Sequence, residues 1–167
     1  YKEKLRIRSY CKVVGKEHVF VEVKKKYDSI VYKRRVELPI DDALEWVCKK
    51  KKLSKENQIS REIEYFINFY GDLNPTVFLT YEREAYFCDN TDLRITFDEN
   101  ILYRNYDIDL HNEVYGEEIL DKQYSIMEIK CSYGMPMWLV QLLSKEKIYK
   151  TSFSKYGVAY QKILNKK

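Results

Sequence analysis

The chain has 167 residues and a net charge of +4, with 45% hydrophobic and 34% charged residues. This composition excludes a disordered chain, and no apolar run approaches the roughly 18 residues that span a bilayer. The four cysteines are widely spaced and form no C-x-x-C pair, so we expect reduced thiols and a cytoplasmic protein. The length predicts one domain over 1–167. Because Tyr1 already lies in a strand pattern, we expect this domain to be incomplete at its N-terminus.

The predicted elements combine an antiparallel sheet with helices that pack outside it. In chain order they are strands at 4–14, 18–27 and 29–37, helices from Pro39 and at 58–70, strands at 76–88 and 92–98, a polar irregular segment at 99–118, a strand at 124–132, and helices at 135–144 and 156–164. Proline and the acidic pair Asp41 and Asp42 suit the start of the first helix, and Gly71 suits the end of the second. The order predicts an α+β fold.

Charged residues occupy every second position in six of the strand-like stretches. These stretches are Leu5–Arg8, Val21–Lys24, Tyr32–Arg35, Tyr81–Arg83, Leu93–Thr96 and Met127–Lys130. Successive side chains of a strand point to opposite faces, so each strand has an apolar face and a largely cationic one. Burying several unpaired cations in a dry interior costs several kcal/mol each. If the sheet closes, its interior must therefore hold water or an anion.

Eight short motifs occur in an order that resembles one known family. They are R-x-R-x-Y at Arg6–Tyr10, V-E-x-K at Val21–Lys24, a basic strand at Lys33–Arg35, Y-x-R at Tyr81–Arg83, R-I-T-F-D at Arg94–Asp98, M-E-I-K at Met127–Lys130, P-x-W-L at Pro136–Leu139 and S-F-S-K-Y at Ser152–Tyr156. Together they resemble the VTC domain, the polyphosphate-polymerase domain of the vacuolar transporter chaperone complex. This family belongs to the triphosphate tunnel metalloenzymes. The resemblance implies an antiparallel β-barrel tunnel with helices outside, and we expect the opening strand of this tunnel to be absent from this chain.

The resemblance implies that the cations line the tunnel and bind phosphate. The residues expected to act on the triphosphate and the growing chain are Arg6, Arg8, Lys24, Arg83, Arg94, Lys130 and Lys155. Further phosphate contacts are expected from Lys33, Arg35, Tyr81 and Ser154. Guanidinium groups bind phosphate oxygens bidentately and stay charged at any working pH. For a single pair of arginines, exposed strand residues matched by cross-strand glutamates would be a simpler interpretation. Ser154 could equally be a helix N-cap, and both roles can hold.

Two glutamates each precede a lysine by two positions and are expected to bind Mn²⁺ or Mg²⁺. Hard divalent cations take carboxylate oxygens and usually share substrate phosphates as ligands. Glu128 matches the metal-binding glutamate of the family. For Glu22, a structural counter-charge among cations is an equally good interpretation.

The expected reaction transfers the γ-phosphate of ATP to a polyphosphate chain in a metal-dependent step. Two alternatives remain: hydrolysis of inorganic triphosphate or nucleoside triphosphates, and non-catalytic binding of polyphosphate or inositol phosphates. We expect ATP and polyphosphate as partners and no nucleic acid, because β-propensity explains the sixteen tyrosines without base stacking. The resemblance leaves room for a membrane-protein partner, and the oligomeric state is open.

Trp46 and Trp138 are expected in the core.

Overall fold

The computed structural model describes residues 2–28 and 30–166. These residues form two compact units, one running up to Pro75 and including Asp109–Glu113, the other from Thr76 to Ile108 and from Val114 onward. Within the described residues each unit has one antiparallel sheet and two helices. The α+β prediction is confirmed at this level.

The first unit is built on a three-stranded sheet. Its elements are β1 (Lys2–Arg8), β2 (His18–Tyr27), β3 (Ile30–Pro39), α1 (Ile40–Lys49) and α2 (Gln58–Tyr70). The central strand β2 pairs antiparallel with both β1 and β3. The predicted first strand is shorter than expected, and the predicted start of the third strand, Ser29, lies outside the described residues. Helix α1 follows Pro39 directly and carries Asp41 and Asp42 in its first turn, as predicted.

The core of the first unit lies between one face of β2 and the two helices. The buried residues of this core are Val13, Val19, Val21 and Val23 together with Ile40, Ala43, Trp46 and Val47 of α1 and Ile63, Phe66 and Ile67 of α2. Burying a side chain of this size stabilises the fold by about 1.5–3 kcal/mol. Because side chains alternate along a strand, the even-numbered residues of β2 lie on the face turned away from the helices.

The second unit has a four-stranded sheet centred on β5. Its elements are β4 (Phe78–Phe87), β5 (Arg94–Arg104), β6 (Glu117–Glu118), β7 (Ile126–Lys130), α3 (Met137–Lys145) and α4 (Lys155–Leu164). Strand β5 pairs antiparallel with β4 along one side. On its other side it pairs with β6 and, at different residues, with β7.

A bulge in β5 overturns the prediction that 99–118 is irregular throughout. The strand continues to Arg104, although Asn100 has a positive φ of 47° and the pairing with β4 shifts register between Thr80 and Glu82. A bulge inserts one extra residue and reverses the alternation of side chains after it. Asp98 and Ile101 consequently share a face although they are three residues apart. This face is apolar after the bulge and polar before it.

The apolar half of this face packs against α4. The buried cluster consists of Ile101, Tyr103, Ile119, Ala159 and Ile163. The polar half carries Asp98, Thr96 and Arg94 in succession, and it is the part of the sheet that β7 flanks. Helix α4 therefore covers the apolar end of this sheet face, and the charged side chains lie at its other end.

The expected closed barrel is not seen. No hydrogen-bonded strand pair joins the two sheets in the part of the chain that the structure describes. A barrel closes only when every edge strand has a partner on both sides, and β1 and β3 are edges of their sheet. The tunnel stays a prediction. No helix of residues 2–28 and 30–166 is long and apolar enough to cross a membrane.

The two tryptophans have different environments. Trp46 is 2% exposed and belongs to the core, as predicted. Trp138 is 57% exposed, so its predicted core position is wrong. Leu139 is the buried residue of α3, and the pattern P-x-W-L does not show which of two adjacent apolar residues turns inward.

Candidate functional site

One face of the first sheet is strongly cationic. On the face away from the helices, the strand register aligns residues of β1, β2 and β3 in four cross-strand rows. The rows are Arg8–Phe20–Glu37, Arg6–Glu22–Arg35, Lys4–Lys24–Lys33 and Lys2–Lys26–Val31. We call the Lys and Arg residues of these rows the cationic face. Arg6, Arg8, Lys24, Lys33 and Arg35, predicted separately from the sequence, are thus brought together on one surface.

Glu22 lies at the centre of the cationic face and is 1% exposed. Its Oε2 accepts a hydrogen bond from Arg6 Nε at 2.6 Å, and its Oε1 accepts one from Arg35 Nε at 2.6 Å. Lys33 Nζ lies 3.0 Å from the same Oε1. Both carboxylate oxygens are therefore engaged by cations, which favours the counter-charge role for Glu22. A metal bound by Glu22, which stays a prediction, would have to displace these contacts.

The cations keep Glu22 ionised. Burial alone would raise its pKa, but the hydrogen bond from Lys33 and the charge and hydrogen bond of Arg6 outweigh burial and lower the pKa to about 2. A fully ionised carboxylate in turn fixes the directions of the surrounding guanidinium groups. The row Arg6–Glu22–Arg35 is therefore pre-organised, and its two arginine side chains remain about one-third to one-half exposed.

Aromatic rings support the arginines at one end of the cationic face. The guanidinium carbon of Arg8 lies 4.6 Å from the Tyr10 ring centre, and that of Arg35 lies 4.4 Å from the Phe20 ring centre. The two rings contact each other edge to face at 5.5 Å. A hydrogen bond with Arg35 lowers the pKa of Tyr10 despite the opposing effect of burial. Stacking of this kind limits the motion of a guanidinium group while leaving its N–H edge able to bind an anion.

In the second unit a buried aspartate organises two further predicted cations. Asp98 is fully buried, and its carboxylate accepts hydrogen bonds from Arg83 Nε at 2.5 Å and from Arg83 Nη2 at 2.7 Å. Lys155 Nζ donates to the same carboxylate. The Tyr81 ring centre lies 5.2 Å from the Arg83 guanidinium carbon and 4.8 Å from Lys155 Nζ. We call these four residues the Asp98 cluster.

The charges of the Asp98 cluster hold one another in place. Burial would raise the pKa of Asp98, but the hydrogen bonds from Arg83 and Lys155 lower it below its ordinary value. The hydrogen bonds that Arg83 donates to Asp98 raise the pKa of Arg83. The cluster carries two cations and one anion, so it retains a net positive charge that can be directed at a phosphate.

Helix α4 delivers Lys155 to the cluster. Ser154 is the N-cap of α4, and its side-chain oxygen accepts a hydrogen bond from the Gly157 backbone N–H at 3.2 Å. The capping role predicted as an alternative for Ser154 is present, and its phosphate contact stays a prediction. Because Lys155 is the first residue of α4, the cap fixes the point from which its side chain reaches Asp98.

Glu128 and Lys130 lie on β7, beside the Asp98 cluster. Glu128 is paired with Thr96 in the strand register, and its side chain is 46% exposed. One of its oxygens lies 3.3 Å from Lys130 Nζ and the other 3.9 Å from Arg83. The described residues contain no group of three or more His, Cys, Asp or Glu side chains suited to a metal. A single exposed carboxylate still fits Mg²⁺ or Mn²⁺, which complete their shells with water and substrate phosphates.

Two buried polar atoms between these groups have no hydrogen-bond partner among the described residues. They are Arg94 Nε and the hydroxyl oxygen of Thr96, a residue that is 3% exposed. The Arg94 guanidinium carbon lies 4.8 Å from the Phe87 ring centre. Leaving a buried polar group unpaired costs about 1–3 kcal/mol, so this part of the sheet holds polar groups that do not serve stability.

Thr96→Val is expected to leave the free energy of unfolding unchanged or to raise it by about 1–3 kcal/mol, because it removes an unpaired buried hydroxyl. Urea denaturation measures this change. Thr91→Val is the matched control, since the Thr91 hydroxyl accepts a hydrogen bond from the Leu93 N–H at 3.3 Å, and its loss should destabilise the protein by about 1 kcal/mol. Equal destabilisation by both substitutions would show that Thr96 has a structural partner.

The predicted site residues thus form two sets, one in each unit. The first set comprises Arg6, Arg8, Glu22, Lys24, Lys33 and Arg35, and the second comprises Tyr81, Arg83, Arg94, Glu128, Lys130, Ser154 and Lys155. The sequence analysis did not assign Asp98, although the residue closes the R-I-T-F-D motif. The signal was available: Asp98 follows Arg94 by four positions on the same strand face.

The fold and these contacts define a mixed α/β protein whose two sheets each carry cations arranged around a buried carboxylate. A family model described as the VTC domain matches residues 1–164. The chain therefore belongs to the VTC domain family, and the resemblance seen in the sequence is confirmed. Comparisons with curated proteins and with solved structures give no significant match. Membership of this family indicates a function related to polyphosphate.

Proposed function

We propose that this protein transfers the γ-phosphate of ATP to the end of an inorganic polyphosphate chain, with Mn²⁺ or Mg²⁺ as cofactor. The observation that carries the proposal is the Asp98 cluster beside Glu128. Arg83 and Lys155 are fixed by a buried carboxylate, and a half-exposed carboxylate and a lysine lie next to them. Membership of the VTC domain family supports the choice of polyphosphate.

Phosphoryl transfer requires positioning and charge neutralisation more than covalent chemistry from the protein. In the proposed step a terminal phosphate oxygen of the chain attacks the γ-phosphorus, the bond from the γ-phosphorus to the β,γ-bridging oxygen breaks, and ADP leaves with that electron pair. Arg83, Arg94 and Lys155 would bind the non-bridging oxygens, on which negative charge must be offset. Lys130 would bind the leaving group or the chain end.

Glu128 is the residue that would hold the divalent ion, whose chemistry is to neutralise phosphate charge. The neighbouring Lys130 and Arg83 limit the repulsion between the Glu128 carboxylate and substrate phosphates. The cations of the first unit, including Arg6, Arg8 and Lys24, would bind phosphates of the polymer on the cationic face. Lys33 and Arg35 would contribute contacts there while balancing Glu22.

Glu128→Gln and Arg94→Ala are each expected to lower kcat/KM by about 100-fold, because each removes charge compensation that strengthens in the transition state. Steady-state measurement of ADP release from ATP, with polyphosphate as acceptor, provides the readout. Lys145→Ala, an exposed residue in the last turn of α3, is the control and should leave kcat/KM unchanged. Wild-type turnover in both site variants would refute the proposed roles.

A second candidate function is binding of polyphosphate or related phosphates without turnover. The observation in its favour is the cationic face, where several lysines occur together with Glu22, a carboxylate whose oxygens are both engaged. Such a surface can bind a polyanion, and Glu22, the carboxylate at its centre, could bind a metal only by displacing its contacts with cations. Tight polyphosphate binding with no metal-dependent consumption of ATP would favour this function over the polymerase.

A further inference from the structure

The half of the cationic face farthest from Arg8 contains lysines placed directly opposite one another. Lys4, Lys24 and Lys33 form one row across the three strands, and Lys2 faces Lys26 in the next row. Like charges directly opposite in a sheet are destabilising. Among the described residues, neither Lys24 nor Lys26 has a carboxylate within ion-pair distance, and Lys33 is directed toward Glu22 in the neighbouring row.

The other face of the same strands shows the opposite arrangement. Lys25 Nζ lies 3.0 Å from Glu3, and Arg34 forms an ion pair with Glu62 of α2. Carboxylates thus neutralise the helix-facing cations and are missing from the lysine rows within the described part of the sheet. This segregation cannot be explained by stability, because a glutamate at any position in the lysine rows would relieve the repulsion.

We propose that Lys2, Lys4 and Lys26 extend the phosphate-binding surface into a track for the polyphosphate chain, so that the protein binds long chains more tightly than triphosphate. This inference rests on the proposed function for the identity of the polymer. Rows on one face recur every second residue, about 6.6–6.8 Å apart, and β1 spans about 20 Å from Arg8 to Lys2. A linear polymer with a charge on every repeat can contact successive rows, whereas a compact anion contacts few of them.

The kinds of cation along the track differ in a way that suits a moving chain. Arginine binds phosphate through a rigid fork, and Arg6 and Arg35 are further fixed by Glu22. Lysine is a point charge on a flexible stem and imposes little geometry. The arginine rows would therefore fix the position of one part of the chain. The lysine rows would retain the rest while allowing it to advance.

The lysine rows favour polyphosphate over a single-stranded nucleic acid. Proteins that bind single strands combine cations with aromatic side chains on which the bases stack. The two lysine rows contain no aromatic residue on this face. Apart from the lysines, they contain Val31. Two aromatic rings beside the cationic face, Tyr10 and Phe20, lie at its arginine end, where they contact Arg8 and Arg35, and not among the lysine rows.

The test measures the dissociation constants of the protein for tripolyphosphate and for long-chain polyphosphate by titration calorimetry at several salt concentrations. Lys2→Ala combined with Lys26→Ala is expected to weaken binding of the long chain about tenfold and to leave binding of tripolyphosphate within about twofold of wild type. The dependence of log affinity on log salt should fall by about one for each lysine removed. Lys25→Ala, adjacent in sequence but on the other face, is the control and should show neither change. Lys26→Arg should keep the wild-type preference.

Three results would overturn the track. In the first, the Lys25→Ala control loses as much affinity for the long chain as the double variant does. In the second, the wild type does not prefer long chains to tripolyphosphate. In the third, a single-stranded oligonucleotide with the same number of phosphates binds as tightly as polyphosphate. The proposed reaction fails separately. Length-dependent binding that requires Lys2 and Lys26, in a protein that makes no polyphosphate from ATP, would keep the track and refute the polymerase.

Discussion

Asp98→Asn is expected to reduce turnover about 100-fold and to lower the free energy of unfolding by about 3–5 kcal/mol. The substitution preserves size but leaves Arg83 and Lys155, whose side chains are 24% and 19% exposed, without their shared counter-charge. Breaking a buried ion pair from one side costs about 3–5 kcal/mol. Both cations would also lose the contact that directs them, and misplacing such groups by about 1 Å costs about 100-fold in rate.

Urea denaturation and ADP release from ATP measure the two effects of Asp98→Asn separately. Asp89→Asn, an exposed residue in the turn between β4 and β5, is the control and should change neither quantity. If Asp98→Asn kept wild-type stability, the carboxylate would not organise the cluster. If it kept wild-type turnover, Arg83 and Lys155 would not act on the substrate.

Glu22→Gln is the second large effect, and it is expected to lower the free energy of unfolding by about 2–3 kcal/mol at neutral pH. The neutral amide leaves Arg6, Lys33 and Arg35 in mutual repulsion around a buried position. The estimate is below that for a fully buried pair because these cations are 32–44% exposed and water screens them. Glu37→Gln is a matched control on the same sheet face. Glu37 is exposed, and among the described residues its one ion-pair partner is His18.

The pH dependence of stability provides an independent check on Glu22. Its pKa falls from an ordinary value of 4.5 to about 2 in the folded state, so the ionised form stabilises the fold. This contribution, about 3 kcal/mol, is fully present above pH 4.5 and is lost as the pH falls toward 2. Asp98, whose pKa is also lowered, adds a loss in the same direction. The Glu22→Gln variant should therefore lose less stability than wild type between pH 4.5 and 2.

The same variant separates the two roles considered for Glu22. A counter-charge role predicts a large stability loss that added Mn²⁺ does not reverse. A metal-ligand role predicts a small stability loss and a higher Mn²⁺ requirement for turnover. The contacts to Arg6, Lys33 and Arg35 lead us to expect the first result.

The sequence was most informative where the hydrophobic period was regular and bounded by clear signals. Helix α2 spans the predicted 58–70, because Asn57 caps its start and Gly71 follows its last residue. Strand β5 was predicted only as far as residue 98, because the bulge at Asn100 reverses the alternation on which strand prediction depends. A one-residue insertion of this kind interrupts the period-two pattern, so a strand that continues beyond it is predicted to end there.

For the candidate site, residue types were easier to predict than partners. Alternation showed that Arg83 lies on a charged face, but the register between strands decides that its partner is Asp98, fifteen residues further along the chain. Lys155 reaches the same carboxylate from 57 residues away, through a helix cap that local patterns do not connect to the sheet. These pairings are set by tertiary packing. The sequence alone could therefore name most of the cations and contained a signal for Asp98, but it could not show that Asp98 pairs with Arg83 and Lys155.

The most direct test of the proposed function is incubation of the protein with ATP and Mn²⁺, followed by separation of the products by gel electrophoresis. We predict polyphosphate chains that lengthen with time, ADP formed in proportion, and no chains when the metal is chelated. Orthophosphate release without chains would contradict the polymerase and establish a hydrolase. No consumption of ATP, with polyphosphate still bound, would contradict both enzymes and leave a phosphate-binding protein.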